Sequence, residues 1–274
     1  MGDLSVWTGK RGEGKSTILT QILLDAIDQG LSVCAYSGEV PADRFKYVVN
    51  LQAAGDAYAR EREDTLAERI VQYVPRESLA KIGDWYNGKF WLYDNRIAEK
   101  DEAESILRLF EISYKRYDCR VFMVDNLMTV STCRNDADYY QMQADFTIRL
   151  RKLAEKLGAH IHLVVHPRKG GIKDSDSVGG LSTITNIACN VFSMRRATED
   201  ETGLGYDATL TCLKNRAYGE NTAVQLQYSQ RSRRFTERDM IQKQYGWAEQ
   251  PKEYVQQTLG GYDGKTPFEE EAEY

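Results

Sequence analysis

The chain has 274 residues, 42% of them hydrophobic and 28% charged, with a net charge of −5. That length suits one large α/β domain with a short tail, and the acidic balance excludes a broad basic coat for nucleic acid while leaving a local basic path open. No apolar run approaches the roughly 20 residues that span a bilayer, and Met1-Gly2-Asp3-Leu4 has neither the basic nor the apolar region of a secretory signal, so a cytoplasmic protein without membrane contact is expected. The cysteines Cys34, Cys119, Cys133, Cys189 and Cys212 are scattered and form no C-x-x-C pair, which fits buried thiols in a reducing compartment.

In chain order, Leu4 to Thr8 reads as a buried strand, followed by a Gly-rich turn and a helix on which Ile18, Leu19, Ile22, Leu23, Ala26 and Ile27 recur at helical spacing. Gly30 ends that helix, residues 31–37 form a second strand, and Pro41-Ala42-Asp43 opens the next helix. The charged stretch from Gly55 to Asn87 reads as helices with an exposed insertion. Phe90 to Tyr93 is a strand, Glu102 to Arg116 a helix, Val121 to Val124 a strand ending in Asp125, Asp138 to Lys156 a long helix, and His160 to Val165 another strand. Arg168 to Asp176 reads as a loop, and strands are expected near 191–194, 208–213 and 223–228. This alternation predicts a mostly parallel sheet with helices on both faces and antiparallel edge strands. The domain is placed at 1–245, and 246–274, with Glu269-Glu270-Glu271, as a flexible acidic tail.

Gly9-Lys10-Arg11-Gly12-Glu13-Gly14-Lys15-Ser16, followed by Thr17, fits G-x-x-x-x-G-K-[ST] between a strand and a helix. Glycines let backbone N–H groups approach phosphate oxygens, and the helix start turns its positive end on the same anion. Lys15 would neutralise the β and γ phosphates of ATP or another NTP, and Ser16 would offer its hydroxyl to Mg²⁺. Asp125, ending a buried strand, either faces that Mg²⁺ or caps the next segment. Glu39, in Tyr36-Ser37-Gly38-Glu39, either orients the attacking water or opens the next helix in solvent. His160 and His162 alternate on one strand face without the neighbours of a metal site and read as packing residues. The clusters Arg195-Arg196 and Arg231, Arg233, Arg234 read as solvated strand ends, with contact to phosphate or to another subunit as the alternative.

These motifs, collinear from Leu4 to Phe235, resemble the RecA-like, ring-forming replicative DNA helicases, the DnaB-type superfamily, in the branch of the phage helicase-primases and the mitochondrial helicase Twinkle. The resemblance implies a RecA-like P-loop core, with Glu39 as catalytic base and Asp125, in Val124-Asp125-Asn126-Leu127, on the Mg²⁺ side. It makes His166, in Val165-His166-Pro167-Arg168-Lys169, the γ-phosphate sensor. It gives Arg168, Lys169 and Lys173 to a loop that grips single-stranded DNA. Val178 to Asn186 resembles the helix-opening segment after that loop, although the family's later Asp is replaced by Cys189 or Asn190. Leu213-Lys214-Asn215-Arg216-Ala217-Tyr218-Gly219 resembles the Lys-x-Arg-aromatic-x-Gly signature, shifted by one at the aromatic. It implies that Arg216, with Lys214 beside it, acts as a finger on the nucleotide of a neighbouring subunit.

The function so implied is an ATP-dependent replicative helicase translocating on single-stranded DNA and self-associating as a hexameric ring, acting in a host cytoplasm if phage-encoded. No primase or zinc module is read, the helical linker that clasps a neighbour is expected to be missing, and the acidic tail is a candidate contact for replication proteins. A strand-exchange recombinase and a RecA-like signalling ATPase that ignores DNA are the alternatives.

Overall fold

The computed structural model describes residues 2–65, 68–93, 102–130, 136–166, 182–219 and 221–248, the side chains of 136–140 apart. Strands β1 (Leu4–Thr8), β2 (Ser32–Ser37), β5 (Phe90–Leu92), β6 (Cys119–Asp125), β7 (His160–Val164), β8 (Asn190–Arg196), β9 (Ala208–Asn215), β10 (Ala223–Tyr228) and β11 (Phe235–Glu237) form one sheet in the order β11-β10-β9-β8-β1-β7-β6-β2-β5. The six from β8 to β5 run parallel, and β9, β10 and β11 continue the sheet antiparallel. This is the mixed α/β architecture expected.

Alternation along the parallel strands explains why both faces are covered. Leu4, Val6, Cys34, Tyr36, Phe122, Val124, Ile161 and Leu163 face a core completed by α4 (Glu102–Tyr117) and α5 (Asp136–Leu157). Trp7, Val33, Ala35, Val121, Met123 and Val164 face the other, under α1 (Lys15–Asp28), α2 (Ala42–Tyr58) and α3 (Arg76–Tyr86). Strands apolar on both sides must be sandwiched between helices. Among the described residues no helix is long and apolar enough to cross a membrane.

Two regions carry detail that the expectation lacks. Residues 55–87 hold helices with an exposed insertion, as expected, and the insertion is a hairpin, β3 (Arg60–Asp64) paired with β4 (Arg69–Tyr73), ahead of α3. Its first strand is Arg-Glu-Arg-Glu-Asp, without the apolar alternation that announces a strand. Arg234 is fully buried instead of solvated. A kink at Gly55 (φ 62°) interrupts α2, and the Arg234 guanidinium bonds the carbonyls of Gln52, Ala53 and Lys243 while lying 4.3 Å from the centre of the Tyr245 ring. Gly246, Trp247 and Ala248 close this cluster: Trp247 Nε1 donates to Ala53 O at 2.9 Å and Gly246 N to Asp28 Oδ1 at 2.7 Å. The packed body thus extends to Ala248, and residues 249–274 lie outside the described residues. The remaining short helices are α6 (Ser182–Ile187) and α7 (Glu199–Thr202).

Candidate functional site

The parallel strands end at one edge of the sheet, where several loops converge. The phosphate loop leaves β1 at Thr8 and enters α1 at Lys15. Gly14 caps α1 with φ 94°, and a Cβ there would lie 2.7 Å from the Phe235 ring, so conformation and space both require glycine. No side chain caps α1, which leaves its first amides for an anion. Lys15 is 3% exposed and donates from Nζ to the carbonyls of Gly9 and Lys10, both at 2.7 Å. Burial holds its pKa below the usual lysine value. Glu13 folds back to accept the Lys10 amide.

Asp125 is 1% exposed, and neither carboxylate oxygen has a well-formed hydrogen bond. Burial raises its pKa to about 6, against the lowering influence of the Ser16 hydroxyl. A buried carboxylate lacking partners, beside a serine hydroxyl at the start of α1, has the hard oxygen donors that suit Mg²⁺. Glu39 follows β2, whose Ser37 pairs with Asp125 in the register. Its Oε1 accepts from Asn126 Nδ2 at 2.6 Å and lies 3.6 Å from His166 Nε2. His166 follows β7, and neither ring nitrogen has a well-formed hydrogen bond. Burial, then the neighbouring Lys15 charge, lowers its pKa, which favours the neutral imidazole near pH 7. Arg11, Gly12, Gly14, Lys15, Ser16, Thr17, Glu39 and His166 line part of a cavity of about 810 Å³.

A family profile described as an AAA domain matches residues 1–171, more than half of the chain. The chain belongs to the AAA domain family. Two solved structures share the fold of this AAA domain. One is the ATPase domain of another protein, which matches with a TM-score of 0.66 and 13% identity, over 85% of this chain and 84% of that one. The other is a DnaB-like replicative helicase, solved with a view to its interactions with primase, which matches with a TM-score of 0.67 and 12% identity, over 85% of this chain and 58% of that one. At such identities the likeness is one of fold, the RecA-like fold of helicase ATPase domains.

The chain keeps Lys214 and Arg216, which lie beyond the residues matched by the family profile, away from its own phosphate loop. Strand β9 runs antiparallel to β8, so its end returns to the far edge of the sheet, with Asn215 opposite Asn190. Arg216 N bonds Cys189 O and Cys189 N bonds Leu4 O, which sets Arg216 level with the start of β1. There Lys214 Nζ donates to Thr185 O at 2.8 Å and Asn186 O at 3.2 Å, and Arg216 Nη2 to Asn186 O at 2.5 Å. Arg168, Lys169 and Lys173 lie outside the described residues.

Sequence reasoning missed the other wall of the cavity. Arg196, Asp207, Tyr228, Gln230, Arg233 and Phe235 extend it from the phosphate loop across β8 to β11. Arg196 and Arg233 line the cavity and are not plain solvated strand ends, and among the described residues Arg233 Nε is buried without a hydrogen-bond partner. No spacing marks these residues; they meet only because three antiparallel strands fold back beside β8. His160 and His162 are engaged in packing, through Ser5 Oγ at 2.9 Å and Trp7 Nε1 at 3.1 Å.

Proposed function

We propose that this chain is an ATP-driven DNA helicase that moves along single-stranded DNA by hydrolysing nucleotide at interfaces between copies of itself. One observation carries the reading: Lys15, Ser16, Glu39, Asp125 and His166 converge at one sheet edge, while Lys214 and Arg216 stand at the other. An arginine so placed reaches a γ-phosphate only across a boundary with a neighbouring copy, as a ring supplies.

In this reading the triphosphate lies on the loop amides and Lys15, with its base toward Tyr228 and Arg233. Ser16 and Asp125 would hold Mg²⁺, which when bound neutralises charge between the β and γ phosphates. Glu39 orients a water for in-line attack, and its partly exposed carboxylate leaves room for one (side chain 40% exposed). Burial favours the neutral form of His166, whose nitrogens, without well-formed hydrogen bonds of their own, can bond the γ-phosphate. Release of that phosphate passes along the chain from His166 to Arg168, Lys169 and Lys173, which grip the DNA strand. Arg216 of a neighbour stabilises the charge that builds in the transition state.

The test is ATP hydrolysis measured with and without single-stranded DNA, alongside the mass distribution of the assemblies. Stimulation by DNA together with a ring-sized species is expected. Full-rate hydrolysis by a monomer, indifferent to DNA, would instead favour a RecA-like ATPase acting on protein partners.

A further inference from the structure

Glu39 sits on a loop with much of its side chain in solvent, and a carboxylate with that freedom explores several rotamers. Its Oε1 accepts a 2.6 Å bond from Asn126 Nδ2 and lies farther, 3.6 Å, from His166 Nε2. Asn126 itself has no freedom. It is fully buried, its Oδ1 accepts from Met128 N at 2.9 Å, and its carbonyl accepts from Thr129 Oγ1 at 2.8 Å. With Oδ1 committed to a backbone donor, the amide can turn only Nδ2 toward Glu39.

The two loops are also locked to each other. Gly38 N donates to Asp125 O at 2.7 Å, and a Cβ on Gly38 would collide with Thr129 Oγ1, so only glycine permits this approach. The residue before Glu39 is thus held against the turn that presents Asn126. Capping the short turn 127–129 accounts for Oδ1 of Asn126 but not for Nδ2. That second bond is short and charge-assisted, and it ends on the carboxylate proposed above to orient the attacking water.

We propose that Asn126 is a positioning residue for hydrolysis, fixing the Glu39 carboxylate so that its free oxygen faces the γ-phosphate side of the cavity. The inference rests on the reading of Glu39 as the group that orients water. Displacing such a group by about 1 Å costs on the order of 10²-fold in rate.

Asn126→Asp separates the two roles, because the aspartate keeps the shape and the acceptor for Met128 N but replaces the donor with a carboxylate facing Glu39. The full chain is assayed with single-stranded DNA and saturating Mg²⁺. The variant is expected to lose about 10²-fold in kcat while its Kd for a fluorescent ATP analogue stays close to that of the parent; its thermal midpoint falls, because a buried carboxylate facing Glu39 replaces a neutral amide. Asn126→Ala should lose similar turnover and, lacking the cap, also unfold at lower temperature. Glu39→Gln, run beside them, should not turn over. If Asn126→Asp hydrolyses like the parent while Glu39→Gln is dead, the positioning role is overturned and the reading of Glu39 stands. If nucleotide affinity falls as far as kcat, the damage is general and the positioning role is again overturned. If Glu39→Gln hydrolyses at the parent rate, the reading of Glu39 fails and the inference goes with it.

Discussion

At the carboxyl edge of the parallel strands, Lys15, Glu39 and His166 face one cavity and Asp125 lies buried beside it. At the opposite edge, Lys214 and Arg216 rest on carbonyls of α6, with Arg216 exposed. The first edge gathers the residues proposed above for nucleotide binding and water attack, and Arg216, just past β9, is not among them. The second holds cations with no phosphate loop of their own. On the proposed function, the difference means that a single copy separates the groups that bind the triphosphate from the group that would balance its transition state.

The sharpest ways to break this contrast are charge deletions at each edge. Lys15→Ala should abolish hydrolysis together with nucleotide binding, read by fluorescent-nucleotide titration. Arg216→Ala should cost roughly 10³–10⁵ in kcat with nucleotide binding intact, the range for arginine fingers. Loss of binding in Arg216→Ala would place that arginine in its own cavity and erase the contrast.

Asp125 offers a test through pH. Its pKa stands above the ordinary carboxyl value, at about 6. The protonated form is therefore the one folding favours, and its contribution is complete below the unfolded value near 3.8 and lost as pH rises through about 6. Above that pH, without a cation, the buried carboxylate destabilises the fold by up to about 3 kcal/mol. Asp125→Asn should then unfold at a higher temperature than the parent at about pH 7.5, with the gap closing toward about pH 4. ATP with Mg²⁺ should reverse the order, because only the parent gains the binding energy.

A smaller effect is expected at Gly14→Ala, where the left-handed backbone and the Phe235 ring both resist a Cβ. It should cost about 1 kcal/mol or more in stability and weaken nucleotide binding. Unchanged affinity would detach the loop from the cavity wall built by β11.

Much of the first edge is readable in the sequence because it is local. A strand, a glycine pattern and a helix lie within 25 residues, from Leu4 to Asp28, Asp125 ends β6, and Glu39 and His166 lie just past the ends of β2 and β7. Lys214 and Arg216 are legible as a motif, but their separation from the phosphate loop depends on β9 reversing direction, which no local pattern states. The cavity wall of Tyr228, Arg233 and Phe235 was hidden for the same reason, and so was the burial of Arg234, which depends on carbonyls exposed by a kink at Gly55. Asn126 could be seen only as the neighbour of Asp125; its bond to Glu39 spans 87 residues. The hairpin 60–73 escaped because its first strand has no apolar side.

The division of labour between the edges is tested most directly by mixing two inactive chains, Arg216→Ala and Glu39→Ala, with ATP, Mg²⁺ and single-stranded DNA. Hydrolysis that neither chain shows alone should return, from interfaces pairing an intact Glu39 with a neighbour's intact Arg216. A mixture that assembles yet stays as inactive as its components would contradict the placement of Arg216 on a neighbour's nucleotide.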